Sequence, residues 1–322
     1  VNQRRIVLRS GLAAACAALC GRAYAQAWPT RPIQLFVAFA PGGAGDIVAR
    51  AVGKEMSRGL GQTVLIENRP APVVAVQTVA KAKPDGYTLM LAGNGTALSQ
   101  ALFKSLPYDV MKDFVHISTL ASFDLTLMTA WQSDFNSVAD VLAWARANPG
   151  KMNIGTVRIG STQNLSAEMF KSMTGIDALV VPFKTTADIL TALRSKDVHI
   201  AFEILPPILT QIAAKNVKVL AVTASKRFPG LPNVPTLAES GVPGFEATSW
   251  NGISAPLGTP QPVIDRLAKE IQVAVASPEV QKELQALGFV AKAGTPEQMT
   301  QRMKSDIAKW GAVIEKAGIE KQ

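Results

Sequence analysis

The residues Phe39-Ala40-Pro41-Gly42-Gly43-Ala44-Gly45-Asp46 have the composition of a turn that can hold an anion without a charged side chain. They follow the apolar run Phe36-Val37-Ala38 and precede Ile47, Val48, Ala51, Val52 and Met56, which fall on one helical stripe. A helix start leaves backbone N–H groups without intrahelical acceptors at the positive end of its dipole. Glycines at such a start let a ligand approach the main chain closely. The segment therefore predicts a seat for a carboxylate or phosphate. A plain tight connection fits the glycines equally well. Asp46 has two readings, a ligand contact or a helix cap, and capping is the simpler.

Catalytic machinery is not evident. His116 and His199 each sit in or beside an apolar stretch, as packed structural histidines do. No His, Asp and Glu cluster has metal-ligand spacing, and no Gly-x-Ser-x-Gly elbow is present. The glycine turn lacks the Lys-Ser/Thr of a P-loop and the spacing of a dinucleotide fold. No cofactor is expected.

The elements that would position the turn alternate along the chain. Strands are predicted at 33–39, 64–67 and 87–92, with helices at 46–60 and 73–82 between them. This alternation implies parallel strands with crossover helices, whose sites lie beyond the carboxyl ends of the strands. The loop Gly93-Asn94-Gly95-Thr96 falls at that end too. Strands at 114–119 and 125–130 follow, then a helix opened by Ser137-Val138-Ala139-Asp140.

The pattern then begins again. Strand 152–157, turn Gly160-Ser161-Thr162 and helix 162–173 are followed by strand 179–183, turn Lys184-Thr185-Thr186 and helix 187–193. Further strands are expected at 198–202 and 217–223. Thr259-Pro260, Ser277-Pro278 and Thr295-Pro296 punctuate three tail helices, at about 262–276, 278–287 and 296–317, which most simply return to the first lobe. The expected fold is α/β, a two-lobed binding-protein architecture with a hinge and an interlobe cleft. Residues 1–25 form an export segment, 26–125 plus 252–322 one lobe and 126–251 the other. The chain crosses between the lobes near 125–130 and 248–254.

Arg4, Arg5 and Arg9, the apolar run Gly11–Leu19 and Ala23-Tyr24-Ala25 have the form of a cleaved signal peptide, too short to span a bilayer. Cys16 and Cys20, the two cysteines of the chain, both lie within it, so disulfide and thiolate chemistry are not expected of the exported part. The net charge is +9, and removal of residues 1–25 with their four arginines leaves +5. That excess is scattered among acids, which argues against nucleic-acid binding and suits a weak general attraction for small anions.

The chain resembles the Bug family of periplasmic solute-binding proteins, the receptor component associated with tripartite tricarboxylate transporters. The resemblance rests on Trp28-Pro29-Thr30-Arg31-Pro32-Ile33, Phe39-Ala40-Pro41-Gly42-Gly43 with Asp46-Ile47-Val48-Ala49-Arg50, Glu67-Asn68-Arg69-Pro70 and Pro84-Asp85-Gly86-Tyr87. Leu231-Pro232-Asn233-Val234-Pro235-Thr236, Trp250 and Ala255-Pro256-Leu257-Gly258-Thr259-Pro260 continue it in the same order. The resemblance implies a periplasmic receptor that closes on a small carboxylated solute and presents it to a membrane permease or a sensor, without chemical conversion. A monomer is the default.

By that likeness Pro41–Asp46 form one wall, and Gly160, Ser161, Thr162, Lys184, Thr185 and Thr186 the other; Phe39, leading into the glycine turn, and Asn94, in the loop at the same strand ends, are expected beside the first wall. Departures from the family pattern bear on the ligand. Ala71-Pro72-Val73-Val74 replaces a glycine-rich loop and favours an aromatic or branched ligand body. Arg158 stands where small residues are common and either pairs with a second carboxylate or lies solvated at the rim. Phe183 replaces a frequent tyrosine. Glu203 replaces a frequent aspartate and either receives a ligand donor or makes a capping or closure contact. An exported hydrolase or transferase using Glu203, and a scaffold with a degenerate cleft, are the alternatives.

Overall fold

The computed structural model describes residues 28–69 and 71–322. The export segment expected within residues 1–25, with both cysteines, lies outside the described residues. Strand β1 (Ile33–Val37) buries Ile33, Leu35, Phe36 and Val37, the nearly continuous apolar run of a strand covered on both faces. It pairs in parallel with β2 (Val64–Asn68) and β3 (Thr88–Gly93). Helix α1 (Ala44–Leu60) crosses from β1 to β2, and α2 (Pro72–Ala80) from β2 to β3. Helix α3 (Asn94–Leu102) follows β3 directly, where the sequence reading has a loop.

A 17-residue strand, β4 (Phe114–Ala130), joins the two halves of the molecule. Its first part pairs antiparallel with β9 (Thr248–Pro256) from Phe114 to Asp124, and β10 (Phe289–Ala291) pairs with it at Ala121–Phe123. From Leu125 onward its partners are β7 (Ile200–Ile204) and β8 (Val217–Val222). Strands β5 (Met152–Val157) and β6 (Ala178–Phe183) extend this second half in parallel. The two strands expected at 114–119 and 125–130 are thus one. The polar Ser122 and Asp124 interrupt the apolar run without interrupting the ladder, which absorbs two register shifts before Ala121.

Around the second half lie α4 (Val138–Ala147), α5 (Thr162–Thr174), α6 (Thr186–Ser195) and α7 (Leu205–Ala213). The tail forms α8 (Gln261–Ala276), α9 (Pro278–Ala286) and α10 (Pro296–Lys316). The Ser277 and Thr295 side chains cap α9 and α10. The Thr259 hydroxyl instead donates to the Pro256 carbonyl, and Pro260 takes the cap position of α8.

Helices α8 and α9 bury Ile264, Leu267, Ile271, Val280 and Leu284 in the first-lobe core. Helix α10 departs from the expected return to one lobe. Its Met299 and Met303 pack with Phe36, Met90 and Trp250, while Trp310 and Ile314 pack with Leu165, Phe170 and Phe202 of the second half. A buried relay fixes this crossing: Trp310 Nε1 donates to Asn94 Oδ1 at 2.8 Å, and Asn94 Nδ2 donates to Thr162 Oγ1 at 2.6 Å.

Trp310→Ala removes a fully buried indole and orphans the Asn94 carbonyl, and is expected to cost about 3–5 kcal/mol. Urea unfolding monitored by circular dichroism checks this. A loss below about 1 kcal/mol would mean that α10 does not tie the halves together.

Candidate functional site

Three helices begin around one end of the two sheet halves. At the start of α1, the Gly42 amide donates to Asp46 Oδ2 at 2.8 Å, and the Gly43 amide donates to the Ala40 carbonyl at 3.0 Å. Gly42 adopts φ +79°, which disfavours a side chain. The first intrahelical bond runs from the Ile47 amide to the Gly43 carbonyl, so the amides of Ala44, Gly45 and Asp46 precede the ladder. A Cβ on Gly45 would overlap the Phe39 ring, so the glycine is what lets that ring lie against the helix start.

Asp46 is the anchor of this turn. Its carboxylate also accepts from Arg50 Nε at 2.9 Å and from Asn68 Nδ2 at 2.8 Å, which ties the turn to the end of β2. Burial works against the ionised form, yet the hydrogen bonds from Arg50, the Gly42 amide and Asn68 outweigh it and hold the carboxyl below the usual aspartate range.

Opposite, Ser161 caps α5 by accepting from the Asn164 amide at 3.1 Å. The Thr162 and Gln163 amides stand ahead of the first intrahelical bond, Leu165 to Ser161. Thr185 caps α6 through a reciprocal pair with Asp188. Glu203, at the end of β7, is buried behind both starts. It accepts from Gln163 Nε2 at 2.7 Å, its neighbour Ile204 N at 2.8 Å and Thr186 Oγ1 at 3.0 Å. Burial is the largest influence on its carboxyl and pushes it up, against these bonds.

Between the helix starts lies a cavity of about 660 Å³, within the range of small-molecule sites. Of the residues singled out from sequence, Phe39, Ala44, Arg158, Gly160, Ser161, Thr162, Phe183 and Lys184 line it. Pro41, Gly42, Gly43, Gly45, Asp46, Asn94, Thr185, Thr186 and Glu203 do not; they shape or brace the segments that do. Sequence reasoning missed Phe123 and Ser249, from β4 and β9, and Leu98, Leu102 and Phe103, from α3 and its end. Their signal was hidden because a helix was read as a loop and because hinge strands carry no motif.

The wall is mainly apolar, with polar contributions from backbone amides, Ser161, Thr162 and Gln163. Arg158 and Lys184 are exposed at its edge, and neither forms an ion pair with another described residue. The arrangement can receive a small anion on amides and carry its hydrocarbon part against aromatic rings.

The histidines stand outside this wall. His116 is buried with Nδ1 2.8 Å from Ser254 Oγ, and burial pushes it down to about 4. His199 accepts from the Asn153 amide and lies 4.7 Å from the Trp144 ring.

Residues 48–319 match the family described as "Tripartite tricarboxylate transporter family receptor". The chain is 31% identical over 322 residues to protein BugT of Bordetella pertussis, covering 99% of each. Among solved structures, it is similar to Rpa4515 of R. palustris with adipate, at 34% identity and a TM-score of 0.80, over 91% of this chain and 99% of that one. It is also similar to MatC of Rhodopseudomonas palustris with bound malate, at 30% identity and a TM-score of 0.75, over 89% of this chain and 100% of that one.

Asp46→Asn removes an ionised acceptor from three donors and should cost roughly 1–3 kcal/mol at neutral pH. Because the folded carboxyl sits below its unfolded value of 3.8, its stabilisation is present above that value and is lost as pH falls through the folded one. The stability gap between wild type and variant, read from denaturation curves, should therefore be smaller at pH 3 than at pH 7. An equal gap at both pH values would contradict the assignment.

Proposed function

We propose, from the premise that this chain belongs to the tripartite tricarboxylate transporter receptor family, that it captures a small carboxylated acid in the cleft between its lobes. The observation that carries the reading is the meeting of two unsatisfied helix starts in one cavity, Ala44 from one side and Thr162 with Gln163 from the other. Amides fixed in this way accept a carboxylate without further ordering of side chains. Arg158 and Lys184 supply positive charge at the mouth for a second carboxylate. Phe39, Phe123, Ile159 and Phe183 favour a ligand with a hydrocarbon body, a property of the adipate held by Rpa4515.

Capture proceeds by closure. The change of partners on β4 at Asp124–Leu125, beside the start of β9, is the place for a hinge. The closed form, made in the periplasm after export, presents its surface to a membrane permease or a sensor as a monomer. The protein acts by binding and release. The two Glu203 oxygens are engaged within their own lobe, which disfavours a hydrolase or transferase using that carboxyl.

Calorimetry with mono-, di- and tricarboxylates on ligand-free folded protein is expected to give saturable binding for a subset with apolar bodies. Uniformly flat responses would contradict the reading. Arg158→Ala should weaken dicarboxylates by roughly tenfold or more and leave monocarboxylates near the wild-type value. Equal losses for both classes would remove Arg158 from contact with a second carboxylate.

A further inference from the structure

The two lobes brace their helix starts with the same device, a buried carboxyl, but only one of them has a counter-charge. Asp46 is paired with Arg50, whereas Glu203 has no cation within ion-pair distance among the described residues. The groups packed on Glu203 are Gln163 from α5, Thr186 from α6, the Ile204 amide and, on its backbone, Thr126 from β4, none of them titratable. The charged side chains nearest in sequence on these elements are directed elsewhere. Asp188 is bound to Thr185, the buried Asp124 of β4 lines a separate cavity with Arg302, and Arg158 and Lys184 lie at the cleft edge.

The two oxygens of Glu203 have different partners. Oε1 receives the Gln163 amide and the Ile204 N–H, which can only donate. Oε2 faces only the Thr186 hydroxyl at 3.0 Å, which can donate or accept. A neutral carboxylic acid keeps these partners, with Oε1 as its carbonyl and Oε2–H donating to Thr186 where an ionised carboxylate would accept from it, and the absence of a counter-charge beside so buried a group favours the neutral form.

We propose that Glu203 is a neutral positioning residue, which holds the first turns of α5 and α6 at a common spacing beneath the bound anion without opposing its charge. The proposal rests on the anion-receptor reading. An ionised Glu203 one layer behind the amides would repel the ligand across a dry, low-dielectric wall. The neutral form removes that repulsion while keeping all three bonds. Ligand capture and proton retention at Glu203 are then linked: the anion favours the protonated acid, and ionisation of the acid expels the anion.

The test uses the full exported chain with 13C-carboxyl-labelled glutamate, with and without adipate as the probe. The Glu203 resonance, identified by its loss in Glu203→Gln, should titrate above the ordinary glutamate range. Its titration should move to higher pH when adipate binds. Glu203→Gln, which mimics the neutral acid, should bind adipate within about twofold of wild type at pH 6 and lose the decline in affinity that wild type shows as pH rises. Glu203→Ala should weaken adipate at least tenfold, with rescue by Gln. A Glu203 signal ionised throughout pH 5 to 8 overturns the proposal, as does a tenfold loss in Glu203→Gln when its circular dichroism and melting are unchanged. Should adipate fail to bind wild type, the ligand-free resonance still decides the charge state. That failure would count against the receptor reading and not against the neutral acid.

Discussion

The structure depends on one constraint: backbone N–H groups at helix starts must be satisfied, and at this cleft the amides of Ala44, Thr162 and Gln163 precede the helix ladders beside an open cavity. Such groups are costly to bury unpaired, so they sit at an open cavity that water or an anion can enter. Hydrogen bonds to a charged acceptor are worth about 1.5–3 kcal/mol each, which is enough for a few of them to specify a carboxylate. The rest of the fold keeps those starts facing one another. Parallel strands deliver α1 and α5 to the same end of their sheet halves, and β4 with β9 sets the halves side by side.

Fixing the starts requires a second layer. Asp46 and Glu203 make no wall of the cavity, yet each gathers donors from separate elements onto one carboxyl. The pair divides the electrostatic work. In the first lobe the charge is kept and balanced by Arg50; in the second the carboxyl stands without a counter-ion. The Trp310–Asn94–Thr162 relay adds a mechanical layer, joining the tail helix to the very residue whose amide lines the cleft. A shift between lobes must therefore strain or break a buried hydrogen bond at the site itself.

Much of this was legible in the sequence because local rules were followed. The strands of both halves obey apolar runs bounded by turns, and helix starts are marked by Gly43, Ser161 and Thr185, found at their caps. The family resemblance, carried by many ordered short motifs, held over residues 48–319. Three features were not legible. Asn94-Gly95 reads as a loop, but Gly93 ends β3 and burial of Ala97, Leu98 and Ala101 pulls the segment into helix α3. Tertiary packing outweighed local propensity there. Strand β4 appeared as two because its ladder tolerates polar residues at the point where partners change. The role of Asp46 and Glu203 as braces depends on partners 22 and 40 residues away in sequence, which periodicity cannot report.

The most direct measurement of the central claim is a crystal structure of the exported protein with a dicarboxylate that it retains. The account predicts one ligand carboxylate within about 3.2 Å of backbone amides from both Ala44–Asp46 and Thr162–Gln163. A ligand held outside this cavity, or inside it by side chains alone with those amides turned to water, would contradict the account.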